Sequence, residues 1–516
     1  MERREFVKVL PALPVLTGAA IALDGTAQAS GQSISAGSQK QEIPAYAGKL
    51  GISDMTAKDA DGKPQPGFAH RSSKGHQADP KAPYQMPLTK EEQDIMDGKK
   101  GPDLAKVMKI VVAHGNAFGA EKLVDLGGAP HCSLYTGTDY MAPMIKLFQE
   151  CADAGLKTYA PYTVNPRCYD MYNVNNNETD FELIYEGYKY QRDLDWVHAQ
   201  LGAPDLNFRS CACYVDEVGN QPEPGTYVAW AESSAINYGN SALGLRTNRN
   251  AGGMELLCGL LGKAPLFGLM TDEGRMANWL VEVKTSKEPD WGVIGSAIGS
   301  KVIDGVPFIT GIDKYLGDKV TNENMHLLKK MGSATAATGA VGLYHVENLT
   351  PDAKEKGRDL LVKGYQTYVL DDAEQARVLG TFPVEWDGRP ENPTACFIGC
   401  PHNTYHEILW WGQKVTEAVE NRGLKTAAIP TLLFCSHVVR NHLVEDEPLL
   451  VSKMKKAGMK FTNMCTVSYA GMKGFSERTY GVTNSPKTRS YYPDVRYLRD
   501  ATLIETICTG KIPKDA

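Results

Sequence analysis

Cys211 and Cys213 stand one residue apart in "CACYVDEVGN", and two further cysteines occupy loop-like settings, Cys400 in "GCPHNTYHEI" and Cys465 in "FTNMCTVSY". On an extended segment a Cys-x-Cys pair sends both side chains to one face, so both can reach one site. Alone, the pair reads equally as core packing, because unpaired cysteine is among the most buried residue types. The chain has no Cys-x-x-Cys and no compact zinc knuckle, which leaves a structural zinc site unsupported. Cys400 lies between Gly399 and Pro401 with His402 next, in a loop with little core to fill. Three thiolates from separate loops converging on iron leave a coordination position open, and such an iron acts as a Lewis acid on a leaving hydroxyl. Eleven cysteines is an odd number, so disulfide pairing cannot account for them all.

The elements that position these residues read as layered α/β. Short apolar runs ("KTYAPYTV", "DLNFRS", "TACFIG", "AAIPTLLF") alternate with amphipathic stretches such as "HEILWWGQKVTEAVENRG". Functional residues of such sheets gather in loops just past strand ends. "DLNFRS" runs into Cys211 and Cys213, "TACFIG" into Cys400, "KTYAPYTV" into Asn165, and "MKFTNM" into Cys465. Order is expected from "LTKEEQDIMDGKKG" onward. Thr89 with Glu92 makes a capping box, and Pro102 opens a helix with Leu104, Val107, Met108, Val111 and Val112 on one face. With 516 residues, 42% hydrophobic, the chain can bury a large core in two to four lobes. A net charge of -6 with interspersed signs gives no footprint for nucleic acid or an anionic membrane surface.

The first 29 residues read as a removable address. Arg3 and Arg4, an apolar stretch from Val9 to Leu23, and Ala27-Gln28-Ala29 predict a twin-arginine-type signal cleaved after Ala29, hence export to the periplasm. That stretch is too short and proline-broken to span a membrane, so no integral segment is expected after cleavage. Residues 30–87, rich in Gly, Ser, Pro, Lys and Asp, read as a disordered or extended linker in which His70 and His76 are solvated bystanders. A protein folded before export can load a thiolate-held metal under reducing conditions, so export and a metal site are compatible.

From about Leu88 to Ile512 the chain resembles the catalytic large component of the aconitase X family. The resemblance is carried by "LTKEEQDIMDGKKG", "CACYVDEVGN", "AWAESSAINYGNSALGLRTNRNAGG", "GCPHNTYHEI" and "TNSPKTRSYYP". It implies an α/β, aconitase-like fold of several layered lobes around a central cleft, over residues 88–516. It also implies an iron-sulfur cluster or mononuclear iron on three cysteines and a hydro-lyase reaction; family activities dehydrate cis-3-hydroxy-L-proline and mevalonate 5-phosphate. Carried onto this chain, the ligands are Cys400, Cys465 and one of Cys211 and Cys213, with Cys213 favoured. The substrate-facing set is Asn165, Pro166, Glu232, Ser233, Ser234, Arg246, Thr247, Asn248, Arg249 and Lys487, with Glu232 and the two serines as the catalytic group. Dehydrating a 3-hydroxy acid needs a base for a weakly acidic proton and a Lewis acid for a poor leaving group, and cationic side chains suit the substrate carboxylate. Read without the resemblance, Glu232, Ser233 and Ser234 could equally cap a helix, Arg246 and Arg249 could be surface charges, and His402 a satisfied loop histidine.

Departures from the family pattern shape the expectation further. The family's "His-Val-Ser-Gly-Val-Ser" becomes "HCSLYT", which keeps His131 and Ser133 as substrate residues but places Leu134-Tyr135-Thr136 where Gly-Val-Ser is usual. Leu and Tyr obstruct the close backbone approach a phosphate site wants, so a phosphorylated substrate is disfavoured. Asp216 and Glu217 are added beside the cysteine pair, and Asn463-Met464 replaces Asp-Thr before Cys465. The small swivel domain that brings a serine base to family members has no counterpart in this sequence, and a separate small subunit is expected to close over the cleft. Another function class, an exported metal- or ligand-binding protein without turnover, would need no such partner.

Overall fold

A computed structural model describes residues 84–204, 209–382, 392–472, 479–492 and 494–513. The expected signal at 1–29 and all but the end of the linker at 30–87 lie outside them. Thr89 Oγ1 accepts from the Glu92 amide at 3.2 Å and the Glu92 carboxylate from the Thr89 amide at 2.9 Å, the capping box the sequence predicts. The helix Pro102–Ala117 buries Val107, Met108, Val111 and Val112. Among the described residues no helix is long and apolar enough to cross a membrane.

In the first lobe the strands are short: β1 (Leu123–Asp125), β2 (His131–Cys132), β3 (Thr163–Val164) and β4 (Lys263–Pro265). β1 and β4 pair antiparallel, whereas β2 and β3 pair in parallel. Single parallel bridges widen the β2–β3 pair: Val164 to Arg209, His131 to Trp230, and Tyr227 to Arg246. The chain therefore crosses this lobe five times in one direction, in the order Arg209, β3, β2, the 227–230 segment and Arg246.

The middle lobe carries β5 (Ala277–Val283), β6 (Pro307–Thr310), β7 (His345–Val346) and β8 (Leu361–Leu370), all parallel in the order β7-β6-β5-β8. The last lobe carries β9 (Ala395–Ile398), β10 (Thr431–Phe434), β11 (Met459–Thr462), β12 (Gly481–Thr483) and β13 (Arg496–Tyr497), parallel in the order β11-β10-β9-β12-β13. "ACFI" and "TLLF" are near-continuous buried runs, as strands covered on both faces require. From β9 the chain adds β10 and β11 to one side and β12 and β13 to the other. The direction of winding reverses between β9 and β12, which is where sheets of this kind open a ligand crevice beyond their carboxyl ends.

Two helices of the middle lobe pack closely, and one of them also meets the last lobe. A Cβ on Gly295 of the helix Trp291–Val302 would stand 2.3 Å from the Met331 carbonyl oxygen of the helix Met325–Thr338. On the same helix, a Cβ on Gly292 would stand 2.4 Å from Pro486 Cγ, so the bare Cα lets the segment bearing Lys487 approach. One buried cluster runs through Trp230, Val281, Ile294, Leu433 and Ile507, making the three lobes share a core.

Candidate active site

The carboxyl ends of two parallel arrays supply the cleft. In the first lobe Arg209 leads to Cys211, β3 to Asn165, β2 to Ser133, the 227–230 segment to Glu232, and Arg246 to Arg249. In the last lobe β9 leads to Cys400, β11 to Cys465 and β12 to Lys487. The arrays meet: Lys487 Nζ donates to Glu232 Oε1 at 2.5 Å, and the His402 amide donates to Cys211 Sγ at 3.2 Å.

Cys211, Cys400 and Cys465 are partly exposed, while the other eight cysteines are buried and none is disulfide-bonded. Burial raises the Cys211 thiol far above its ordinary range, with Glu232, Cys400 and Cys465 adding to the rise. Burial likewise pushes Cys400 up to about 11, against the pull of Lys487. The three thiols thus share one neighbourhood with Lys487 and Glu232. Among the described residues, however, no three His, Cys, Asp or Glu side chains stand close enough to enclose one ion. Cys213, the favoured member of the pair, is turned away: it is fully buried, beside Thr163. The same-face expectation fails because the chain is not extended here. The amides of Ala212, Val215 and Val218 are taken up in successive tight turns, which leave Cys211 partly exposed and Cys213 fully buried behind it.

His402, for which a satisfied loop histidine is one reading of the sequence, clasps all three cysteine loops. Its Nε2 lies 3.0 Å from the Met464 carbonyl oxygen, beside Cys465, and its Nδ1 3.4 Å from Ser210 Oγ, beside Cys211. Burial holds the ring down at about 4, so Nε2–H donates and Nδ1 accepts. Behind it, Lys329 Nζ donates to the His402 carbonyl at 2.7 Å and to Glu407, whose capping box with Thr404 starts the helix Tyr405–Asn421. Gly399, at φ +115°, has no room for a Cβ, which would lie 2.6 Å from the Phe434 carbonyl oxygen.

Glu232 is the hub of the polar wall. It caps the helix Ser233–Ser241, accepting from the Ser234 amide at 3.3 Å and its hydroxyl at 2.9 Å, from the Ser233 hydroxyl at 3.4 Å, and from Asn165 Nδ2 at 2.9 Å. The capping reading is realised, and the same carboxylate also receives Lys487 from the last lobe. Burial alone would raise this carboxyl, but the Lys487 ammonium and the surrounding donors hold it well below the ordinary carboxylate range. Lys487 is held well above its ordinary value by Glu232 and Cys400, against burial. Both groups are charged at neutral pH, which suits Glu232 to ordering the wall and makes it a poor proton acceptor. Pro166 is buried next to Asn165. His131 is fully buried with Nδ1 2.9 Å from Thr163 Oγ1; burial lowers it to about 4. The Asn165 side chain faces this ring and opposes the lowering, and neither His131 Nε2 nor Asn165 Oδ1 has another partner.

Of the run after Glu232, only Arg249 is free for a ligand. Arg246 is committed to the Met270 carbonyl at 3.0 Å and to Asp272 at 2.5 Å. Thr247 is fully buried, bonded to Trp230 and Asn240, and Asn248 is spent on Phe267 and Leu269. These three shape the loop; Arg249 at its end is exposed, makes no hydrogen bond or ion pair among the described residues, and lies within electrostatic reach of Glu232 and Tyr491. The Ser133 amide is held by Glu255 at 2.8 Å. Asp216 and Glu217 face away from the thiols: Asp216 accepts from Gln221 and Asn322, and Glu217 pairs with His442 at 2.9 Å, lining a separate cavity of about 310 Å³. Asn463 stands 3.0 Å from His437 Nδ1. Sequence reasoning treated Tyr135 only as an obstruction. Its hydroxyl lies 3.0 Å from Ser468 Oγ, with Cys465 its strongest charged neighbour and Glu232 in range.

Comparison with known proteins agrees with this architecture. The family pattern described as aconitase X first domain matches residues 85–273, and that of aconitase X second domain matches 277–379. The phosphomevalonate dehydratase large subunit of Thermococcus kodakarensis is 30% identical over 360 residues, covering 69% of this chain and 82% of that protein. The cis-3-hydroxy-L-proline dehydratase of Hypocrea jecorina is 24% identical over 441 residues, 82% of this chain and 69% of its own. The crystal structure of Thermococcus kodakaraensis aconitase X in its holo-form superposes with a TM-score of 0.67 at 27% identity, covering 82% of this chain and all of that one. The α/β architecture, the cleft at the strand ends and these matches together place the chain in the aconitase X family.

Proposed function

We propose that this chain is the large, cofactor-bearing component of an iron-dependent hydro-lyase that dehydrates a small hydroxylated acid of the hydroxyproline kind. The observation that carries the reading is the meeting of Cys211, Cys400 and Cys465 with the Lys487–Glu232 pair at facing strand ends. The donor set fits a thiolate-held iron centre in its chemistry: three soft ligands, the only partly exposed cysteines among the described residues, lie within electrostatic range of one another and of Lys487. The Cys211 and Cys400 thiols, raised by burial, would be held as thiolates by a bound metal. Cys211, Cys400 and Cys465 would hold it, and when bound it supplies a Lewis acid for the departing hydroxyl.

The remaining work falls to side chains of this chain. Arg249 grips the substrate carboxylate. His131 and Asn165 face each other beside Glu232 and order this wall of the cleft. Lys487 fixes Glu232, and Glu232 fixes Ser233, Ser234 and Asn165. Elimination breaks a C–H and a C–OH bond, forms C=C and releases water. Because Glu232 is committed to Lys487, the base for the C–H proton is assigned to a small partner subunit closing over the cleft, in keeping with relatives named as large subunits. The same relatives favour turnover over the binding-protein alternative. The paired arginines and the Ala27-Gln28-Ala29 site support export of the folded protein to the periplasm.

The test is reconstitution. Anaerobically prepared chain, mixed with a small swivel-domain subunit of the aconitase X family from the same source, is expected to release water from cis-3-hydroxy-L-proline, while neither component alone does so. Full activity of the isolated chain would refute the assignment of the base to a partner.

A further inference from the structure

The loop leaving β2 runs His131-Cys132-Ser133-Leu134-Tyr135. Leu134 is fully buried and its carbonyl accepts from His198 Nε2 at 2.7 Å, so its bulk goes into the core and takes nothing from the cleft. The obstruction expected of the Leu-Tyr pair therefore falls on Tyr135 alone. That residue is half-buried, and its hydroxyl reaches across to Ser468 Oγ at 3.0 Å. Ser468 is on the short helix Thr466–Ala470 that begins immediately after Cys465, so the phenol bridges the first lobe to the cysteine loop of the last lobe.

The Tyr135 phenol occupies at least the volume of a phosphoryl group. It also presents an apolar ring, which cannot satisfy phosphate oxygens. The cations of the cleft point the same way. Lys487 is taken by Glu232, which leaves Arg249 as one unpaired cation, suited to one carboxylate. The Tyr135 hydroxyl has a single hydrogen-bond partner, whereas a phenol can both donate and accept.

We propose that Tyr135 is the specificity residue of this site: its ring fills the space a substrate phosphate would need, and its hydroxyl hydrogen-bonds a small, unphosphorylated hydroxy acid beside Cys465. The proposal rests on the hydro-lyase reading above and adds to it the residue that selects the substrate class.

Binding is measured by calorimetry on the full chain, with cis-3-hydroxy-L-proline and mevalonate 5-phosphate as probes, for wild type, Tyr135→Phe and Tyr135→Val. Thermal melting and iron content serve as checks that each variant is intact. Wild type is expected to bind the hydroxyproline and not the phosphate. Tyr135→Phe should keep that exclusion while weakening hydroxyproline binding about tenfold, the loss of one buried hydrogen bond. Tyr135→Val should shift the preference toward the phosphate by at least about tenfold. Equal binding of both probes by wild type, binding of neither, or an unchanged preference in an intact Tyr135→Val would overturn the proposal. Turnover with the small subunit is read in parallel: turnover with an unchanged preference sinks only the role of Tyr135, whereas binding without turnover in every variant sinks the hydro-lyase reading.

Discussion

The Lys487–Glu232 pair is the residue on which the polar wall depends. Breaking a buried pair leaves an uncompensated charge, so Lys487→Met should destabilise the protein by about 3–5 kcal/mol in denaturant titration. Adding Glu232→Gln should restore part of that stability without restoring turnover, which separates charge balance from function. Glu255 is a different case, a fully buried carboxyl that burial raises to about 7 and that holds the Ser133 amide. Its folded value lies above the ordinary 4.5, so its contribution is complete below that value and is lost as pH rises through about 7. Glu255→Gln keeps the acceptor and removes the titration. Relative to wild type it should gain on the order of 3 kcal/mol between pH 4.5 and pH 8, read from chemical denaturation at several pH values. These roles are only partly legible in sequence. Asn165, Glu232, Arg249 and Lys487 stand out by type and motif, but no spacing rule says that Arg246 is spent on Asp272 or that His402 joins three loops. Such facts depend on contacts between residues far apart in the chain.

At the scale of elements, the strand runs before Cys400 and Cys465 and the Thr89–Glu92 capping box were readable because period, composition and turn residues are local signals. The Cys211–Cys213 geometry was not. An extended reading puts both thiols on one face, whereas local hydrogen bonding folds the segment into turns. The dense helix contact through Gly292, Gly295 and Gly299 is likewise invisible until the partner helix is known. It yields a specific expectation. Gly292→Ala cannot keep Pro486 in place, so the Lys487 segment must move; KM should rise and kcat fall together, with secondary structure by circular dichroism unchanged. Retained kinetics would show that the last lobe does not depend on this contact for its position.

Among the described residues three α/β lobes are joined through a buried cluster, and several neutral histidines are fully buried. His131 and His402 are held down at about 4 and His198 at about 3, in each case chiefly by burial. Folded values below the ordinary 6.5 mean that the unfolded chain binds more protons, so this stability is present above pH 6.5 and is lost as pH falls toward 4. Each histidine contributes on the order of 3 kcal/mol, and net folding stability is only about 5–15 kcal/mol. Cooperative acid unfolding between pH 6.5 and 4 is the expected outcome in a fluorescence or circular dichroism titration.

The central claim is that the last and first lobes meet so that Cys211, and not its neighbour Cys213, joins Cys400 and Cys465 around one iron centre. Iron content per chain, measured after anaerobic purification of wild type and of Cys211→Ala, Cys213→Ala, Cys400→Ala and Cys465→Ala, tests it directly. The account predicts wild-type iron in Cys213→Ala and its loss in the other three. Iron retained in Cys211→Ala and lost in Cys213→Ala would contradict it.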